Sequence, residues 1–275
     1  MRKTQVFRIL VQLSSSKMGL AVIFLLVITC SVQTLQQPTI FRNTYKGLRG
    51  VIPKVRLPDE EIRAAYFHDQ TVAVIDLSNS NQLKNCDIIE VYEPLEAMEV
   101  IKNLSTEVQP QQVSFIEMTT LMRQCEMLED MKEDAISTLP IDTKNRGSKP
   151  GVNPLSLLFG ILPGTKWCGT GDIADNYHDL GQEARIDRCC RSHDLCPVKV
   201  RAQKSRYNLT NNSIYTKSHC VCDEMLYHCL KKAYHPTADV MGRIYFNFIR
   251  VPCVEDVTNG TQGSVKRFID VKMNY

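Results

Sequence analysis

The chain has 275 residues, a net charge of +3 and 11 cysteines. That length suits one or two domains, and the cysteine count argues against a reduced, cytosolic protein. The near-balanced charge gives no reason to expect a nucleic-acid partner.

Arg2, Lys3, Arg8 and Lys17 precede a 13-residue apolar run, Met18 to Cys30. A basic start followed by an apolar run of this length reads as a signal peptide, residues 1–32, and so as secretion. The run falls short of the about 20 apolar residues of a membrane-spanning helix. Cleavage after Cys30 leaves ten cysteines, an even number, in an oxidising compartment. Four N-x-S/T sequons, at Asn103, Asn208, Asn211 and Asn259, fit that route as glycosylation sites.

Charge and cysteines then divide unevenly. Residues 33–163 hold 13 Lys/Arg, 18 Asp/Glu and two cysteines; residues 164–275 hold 16, 12 and eight. The contrast predicts two folding units: a small acidic α+β unit, 33–142, and a mainly α unit, 162–275. The linker between them, 143–161, begins with a Gly-, Pro- and Lys/Arg-rich stretch that is easy to cut. The acidic unit is expected to be a propeptide that restrains its basic partner, or an accessory module.

Within the acidic unit, Thr71–Ser78 and Cys86–Pro94 are rich in β-branched residues and predict strands. Phe115, Met118, Leu121, Met122, Cys125 and Leu128 repeat at three and four, which predicts a helix over 113–134 with this stripe in the core. Cys86 and Cys125 would then join strand to helix. His68, beside Asp69 with no second partner in view, reads as a plain surface histidine.

The second unit is organised by cysteine spacing. Cys189 and Cys196 are seven residues apart, as are Cys222 and Cys229, so each pair lies on one helical face. Two antiparallel helices could be laced by Cys189–Cys229 and Cys196–Cys222. Cys190 and Cys220 must reach elsewhere, with Cys168 and Cys253 as candidates. Zinc is the rival, but the spacings are poor for it and the compartment favours bridges. His193 falls on the laced face, and Asp223 follows Cys222 on the partner helix. A carboxylate facing an imidazole fixes its tautomer and supports the imidazolium. Asp194 turns about 100° away and is free for another task. In Leu162–Asp172, Gly169 and Gly171 would let main-chain oxygens approach a small ion, with Asp194 supplying a carboxylate.

The blocks WCGTGD, DLG, CCRSHDLCP, CVCDEMLYHCL and IYFNFI, in this order and spacing, resemble the secreted phospholipase A2 of the bee-venom type (group III) over about residues 160–255. The resemblance implies a disulfide-laced helix pair with a calcium loop. It implies Ca2+ held by the carbonyls of Trp167, Gly169 and Gly171 and the carboxylate of Asp194. It implies His193 as general base, Asp223 as its orienting partner and Tyr245 as their support. It also implies the bridges Cys168–Cys190, Cys189–Cys229, Cys196–Cys222 and Cys220–Cys253, which leaves Cys86 to pair with Cys125. The implied activity is calcium-dependent hydrolysis of the sn-2 ester of glycerophospholipids at a membrane surface. The alternative is a silent binding protein on the same scaffold. Two segments are candidate membrane contacts: the apolar run Asn153–Leu162, otherwise packing, and the basic loop with Lys199, Arg201, Lys204 and Arg206, otherwise a solvated loop.

Overall fold

The computed structural model describes residues 61–137, 160–258, 264–270 and 272–275, all within one compact unit, Thr44–Tyr275. The expected signal segment, residues 143–159 of the linker and Asn259 lie outside the described residues, as does most of the apolar run 153–162.

The acidic segment opens with three antiparallel strands, β1 (Glu61–His68), β2 (Thr71–Ser78) and β3 (Leu83–Glu90). Helix α1 (Pro94–Leu104) follows, then the short β4 (Gln111–Gln112), which pairs parallel with β1 to give the sheet order β3-β2-β1-β4. Helix α2 (Phe115–Ser137) completes it. The second predicted strand runs shorter than expected: β3 ends at Glu90, and Pro94, which presets a helical φ, starts α1 instead. Helix α2 begins at a reciprocal cap. Ser114 Oγ accepts the Glu117 amide at 3.2 Å, and the Glu117 carboxylate accepts the Ser114 amide at 2.7 Å.

Central strand β2 reads as a continuous apolar run because both its faces are covered. Val72 and Val74 point with Ala65 and Ile89 toward Val100 and Leu104 of α1. Ala73 and Ile75 point the other way, with Cys86 and Ile88, onto Met118, Met122 and Cys125 of α2. This second cluster does not stop at the acidic segment. It continues into Trp167, Cys168, Tyr177, Cys189 and Leu226. The stripe of α2 is core, as its spacing predicts, but a core shared with the cysteine-rich segment. His68 is not a plain surface residue: its Nδ1 lies 2.8 Å from the Val113 carbonyl, where β4 gives way to α2.

The cysteine-rich segment contains a long loop, then α3 (Ala184–Asp194) and four short strands, β5 (Lys199–Val200), β6 (Lys204–Arg206), β7 (Leu209–Asn211) and β8 (Lys217–Ser218). Helices α4 (Cys220–Ala233) and α5 (Pro236–Gly242) follow, with a π-helix, Arg243–Ile249, and a hairpin of β9 (Cys253–Thr258) and β10 (Ser264–Ile269). The expected mainly α character is therefore too narrow; helices and strands share this segment. Five bridges are present: Cys86–Cys125, Cys168–Cys190, Cys189–Cys229, Cys196–Cys222 and Cys220–Cys253. They use all ten described cysteines, so no thiolate remains for zinc.

Two expectations about the 199–211 region need correction. Lys199 and Arg201 pair with Glu90, and Arg206 with Asp69. Three of the four basic residues thus serve internal pairing rather than solvent or lipid. Asn211 is fully buried, and its amide nitrogen donates to the carbonyls of Val200, Arg201 and Tyr215. A glycan needs that nitrogen and open space, so Asn211 is not a glycosylation site in this fold. Asn103 and Asn208 are exposed, Asn208 in the β6–β7 turn with a left-handed φ of 59°.

Candidate active site

Two bridges join α3 and the residues just past its end to α4 in opposite order, Cys189 to Cys229 and Cys196 to Cys222, so the helices run antiparallel. His193 lies one turn from Cys189 on the bridged face, and Asp223 follows Cys222 on α4. Nε2 of His193 is 2.7 Å from Oδ1 of the fully buried Asp223. The Tyr245 hydroxyl, on the π-helix, donates to the same Oδ1 at 3.0 Å and lies 3.3 Å from His193 Nε2. Burial, and then the carboxylates of Asp223 and Asp194, push the Tyr245 phenol well above its usual range. It therefore stays protonated and acts only as a donor toward Asp223. With Nε2 engaged by a carboxylate, Nδ1 is the ring nitrogen with a lone pair available in the neutral imidazole.

Asp194 ends α3, four residues and about one turn after Cys190. The Cys168–Cys190 bridge therefore fastens the loop 162–172 to the face of α3 that carries Asp194. A residue missed in the sequence secures the same loop. Asp187, buried in the first turn of α3, accepts the amides of Lys166, Trp167 and Gly181 at 2.7–3.0 Å. Its only sequence signal was that of an acidic residue near a helix start, which is common. The Trp167 indole donates to the Asp179 carbonyl at 3.0 Å, which pins the ring in the core.

The loop fits a hard cation bound through oxygen. Within it, the Cys168 carbonyl accepts the Leu162 amide and the Lys166 carbonyl accepts the Ile173 amide, each at 2.8 Å. The alternate carbonyls, those of Trp167, Gly169 and Gly171, are the three expected at calcium. A side chain at Gly169 would stand 2.6 Å from the Gly160 carbonyl oxygen, and Gly171 has a φ of 97°. Both positions require glycine. Among the described residues no group of three or more His, Cys, Asp or Glu side chains could hold a metal, so any ion here depends on main-chain oxygens. Neutral carbonyls with one carboxylate suit calcium.

A network from outside this segment also reaches α3. The Arg191 guanidinium, 0% exposed, stacks 3.8 Å over the Tyr177 ring, donates to the Tyr177 carbonyl and pairs with Glu129 of α2. Arg188 pairs with Asp130 and Glu133 of α2, and Ser192 hydrogen-bonds Glu126. The charge contrast between the segments anticipated attraction, but not which residues meet.

A family model described as Phospholipase A2 matches residues 161–257. Phospholipase A2 isozymes PA3A/PA3B/PA5 of Heloderma suspectum are 43% identical over 95 residues, 34% of this chain and 66% of that protein. Phospholipase A2 of Apis dorsata is 36% identical over 116 residues, 42% of this chain and 86% of that one. Group 3 secretory phospholipase A2 of Bos taurus is 34% identical over 137 residues, 50% of this chain and 27% of the bovine protein. The chain thus spans less than two thirds of the Heloderma and bovine relatives. Every element of the His193 network lies inside the matched residues, while β1–β4, α1 and α2 lie outside them. The chain belongs to the phospholipase A2 family, in its secreted group III, bee-venom branch.

Proposed function

We propose that this protein is a secreted, calcium-dependent phospholipase A2 that hydrolyses the sn-2 ester of glycerophospholipids at a membrane surface, with residues 162–275 carrying the chemistry. The observation that supports this reading best is the three-membered network of His193, Asp223 and Tyr245, at 2.7–3.3 Å. Asp223 holds the imidazole by Nε2 and leaves Nδ1 to take a proton from a water. That water attacks the ester carbonyl. The imidazolium then returns the proton to the departing alcohol, and the fatty acid and lysophospholipid leave. Asp223 stabilises the imidazolium, and Tyr245 holds Asp223 in place.

Trp167, Gly169, Gly171 and Asp194 would hold calcium, which supplies Lewis-acid stabilisation of the lipid phosphate and the developing oxyanion. The bridge Cys168–Cys190 and the Asp187 anchor keep that loop rigid, which catalytic positioning requires. No serine nucleophile is needed.

Two variants test the assignment. His193→Gln removes the base and touches no proposed ligand; it should lower vesicle hydrolysis by about 10²–10⁴ while calorimetric calcium binding persists. Asp194→Asn should weaken calcium binding and activity together, with partial recovery in excess calcium. Near-normal turnover in His193→Gln, or equal hydrolysis by the wild type in chelator, would overturn the mechanism.

A further inference from the structure

We infer that the acidic segment, 61–137, is a permanent intramolecular subunit of the catalytic segment, and that Thr71, Gln70 and Glu90 are positioning residues that clamp the end of α3 where His193 and Asp194 stand. The inference rests on the phospholipase reading only for what the clamp serves.

An α-helix leaves its last carbonyls without helical partners, and something must satisfy them where the helix end is buried. At α3 the local amides of Leu195 and Cys196 take the Arg191 and His193 carbonyls, and the acidic segment fixes the cap residue Leu195 and the chain just beyond it. Thr71 Oγ1 donates to the Leu195 carbonyl at 2.8 Å. The Gln70 amide donates to the Pro197 carbonyl at 3.1 Å, and its side chain to the Lys199 carbonyl at 2.9 Å. Lys199 Nζ donates to the Asp194 carbonyl itself, and its other partner is Glu90 at 2.6 Å. Glu90 also holds Arg201 at 2.8 Å. Thr71 and Glu90 face each other in the β2–β3 register, so one end of one sheet supplies the whole clamp.

This clamp is built to stay. Lys199 is 3% exposed and Gln70 and Thr71 are fully buried. Along the rest of α3, Arg188 and Arg191 are matched by α2 carboxylates. The apolar cluster runs unbroken from Ala73 and Met122 to Trp167 and Leu226. No described bridge crosses between the segments: Cys86–Cys125 closes within one, and the other four within the other. A cut between them would therefore leave a complex held without covalent bonds. The hydrogen bonds of the His193 and Asp223 side chains come from the catalytic segment alone, and Glu126 of α2 lines the small cavity beside His193.

The experiment uses the full chain with a specific protease site placed between residues 143 and 149. After cutting, the fragments should co-elute in native gel filtration, with vesicle hydrolysis within about twofold of the uncut protein. In uncut Glu90→Gln, hydrogen exchange should quicken in the peptide covering 193–199 but not in α4. Calcium affinity measured by calorimetry should fall by about tenfold, the scale seen when a group behind a metal ligand is lost; Glu90→Asp should recover part of it. A purely structural role would lower melting temperature without changing calcium affinity. Separation of the fragments, with the 160–275 piece at least as active as the uncut chain, would overturn the subunit. Unchanged exchange at 193–199 in Glu90→Gln would overturn the clamp. If no sample hydrolyses lipid or binds calcium, the phospholipase reading fails, and co-elution and exchange still decide this inference.

Discussion

The acidic segment and the cysteine-rich segment are stabilised by different means. The first is a four-stranded sheet with a helix on each face and a single bridge. The second has short elements laced by four bridges, which constrain its unfolded chain rather than adding apolar contact. The buried guanidinium of Arg191 and the buried ammonium of Lys199 form their ion pairs with Glu129 and Glu90, which arrive from the other segment. The difference teaches that lacing fixes which helices meet, while in this chain the cations buried on and beside α3 are paired by carboxylates of the acidic segment.

The most severe test of this contrast is Glu129→Ala. It removes the carboxylate paired with the buried Arg191, leaving the Tyr177 ring and carbonyl in contact and Glu126 and Asp187 as the remaining nearby carboxylates, and breaking a buried pair costs about 3–5 kcal/mol. Denaturation followed by the fluorescence of Trp167, the sole tryptophan, should report the loss within the cysteine-rich segment. An unchanged midpoint would mean that the pair contributes nothing.

Met122→Ala asks whether the core is common property. The side chain is buried in α2, and truncation there costs about 2–5 kcal/mol. Because Met122 and Trp167 belong to one cluster, the Trp167 transition should shift with it. A shift seen only by far-UV signals of the sheet, with Trp167 unmoved, would separate the two segments again.

Asn211 provides a third test. Its amide ties β7 to the carbonyls of Val200, Arg201 and Tyr215, so Asn211→Ala should destabilise by about 1–3 kcal/mol. Mass spectrometry of secreted protein should find Asn211 unmodified. A glycan there would show that the 199–215 region folds otherwise.

The smallest effect expected is a pH dependence at His219, which caps α4 by accepting the Val221 amide and packs on Phe115 of α2. Burial lowers its pKa below the ordinary 6.5, against the pull of Asp256 at 3.4 Å. The unfolded chain then takes up a proton first as pH falls through about 6.5, so stability declines on acidification. His219→Asn keeps an acceptor for the cap and should flatten that decline in melting curves collected from about pH 7 to 5. Parallel curves for both proteins would remove His219 as its cause.

Much of the catalytic segment was legible because its constraints are local. Seven-residue cysteine spacing and 3.6 residues per turn put His193 on the face that meets Asp223. The stripe from Phe115 to Leu128 announced α2 for the same reason. The elements missed in the acidic segment have weaker local signals. Strand β1 mixes charge with apolar residues, and Pro94 was absorbed into a strand although proline suits a helix start better. The sequon at Asn211 is a three-residue pattern, and burial decides whether it can be used.

Taken by itself, the sequence pointed to two of the five bridges, Cys189–Cys229 and Cys196–Cys222, to the His193–Asp223 pairing across two helices and to the glycine positions of the loop, since each follows from spacing along one or two elements. The resemblance added the family, the roles and the pairings Cys168–Cys190 and Cys220–Cys253. Only the tertiary structure decided that α2 lies along α3, that Asp187 anchors the loop, and that Gln70, Thr71 and Glu90 grip the end of the catalytic helix. These partners are separated by 20 to 129 residues, and no periodicity encodes a meeting over such distances. Which carboxylate neutralises which buried cation is set by how a sheet face and a helix face pack, a property of the assembled surfaces rather than of any one stretch of chain.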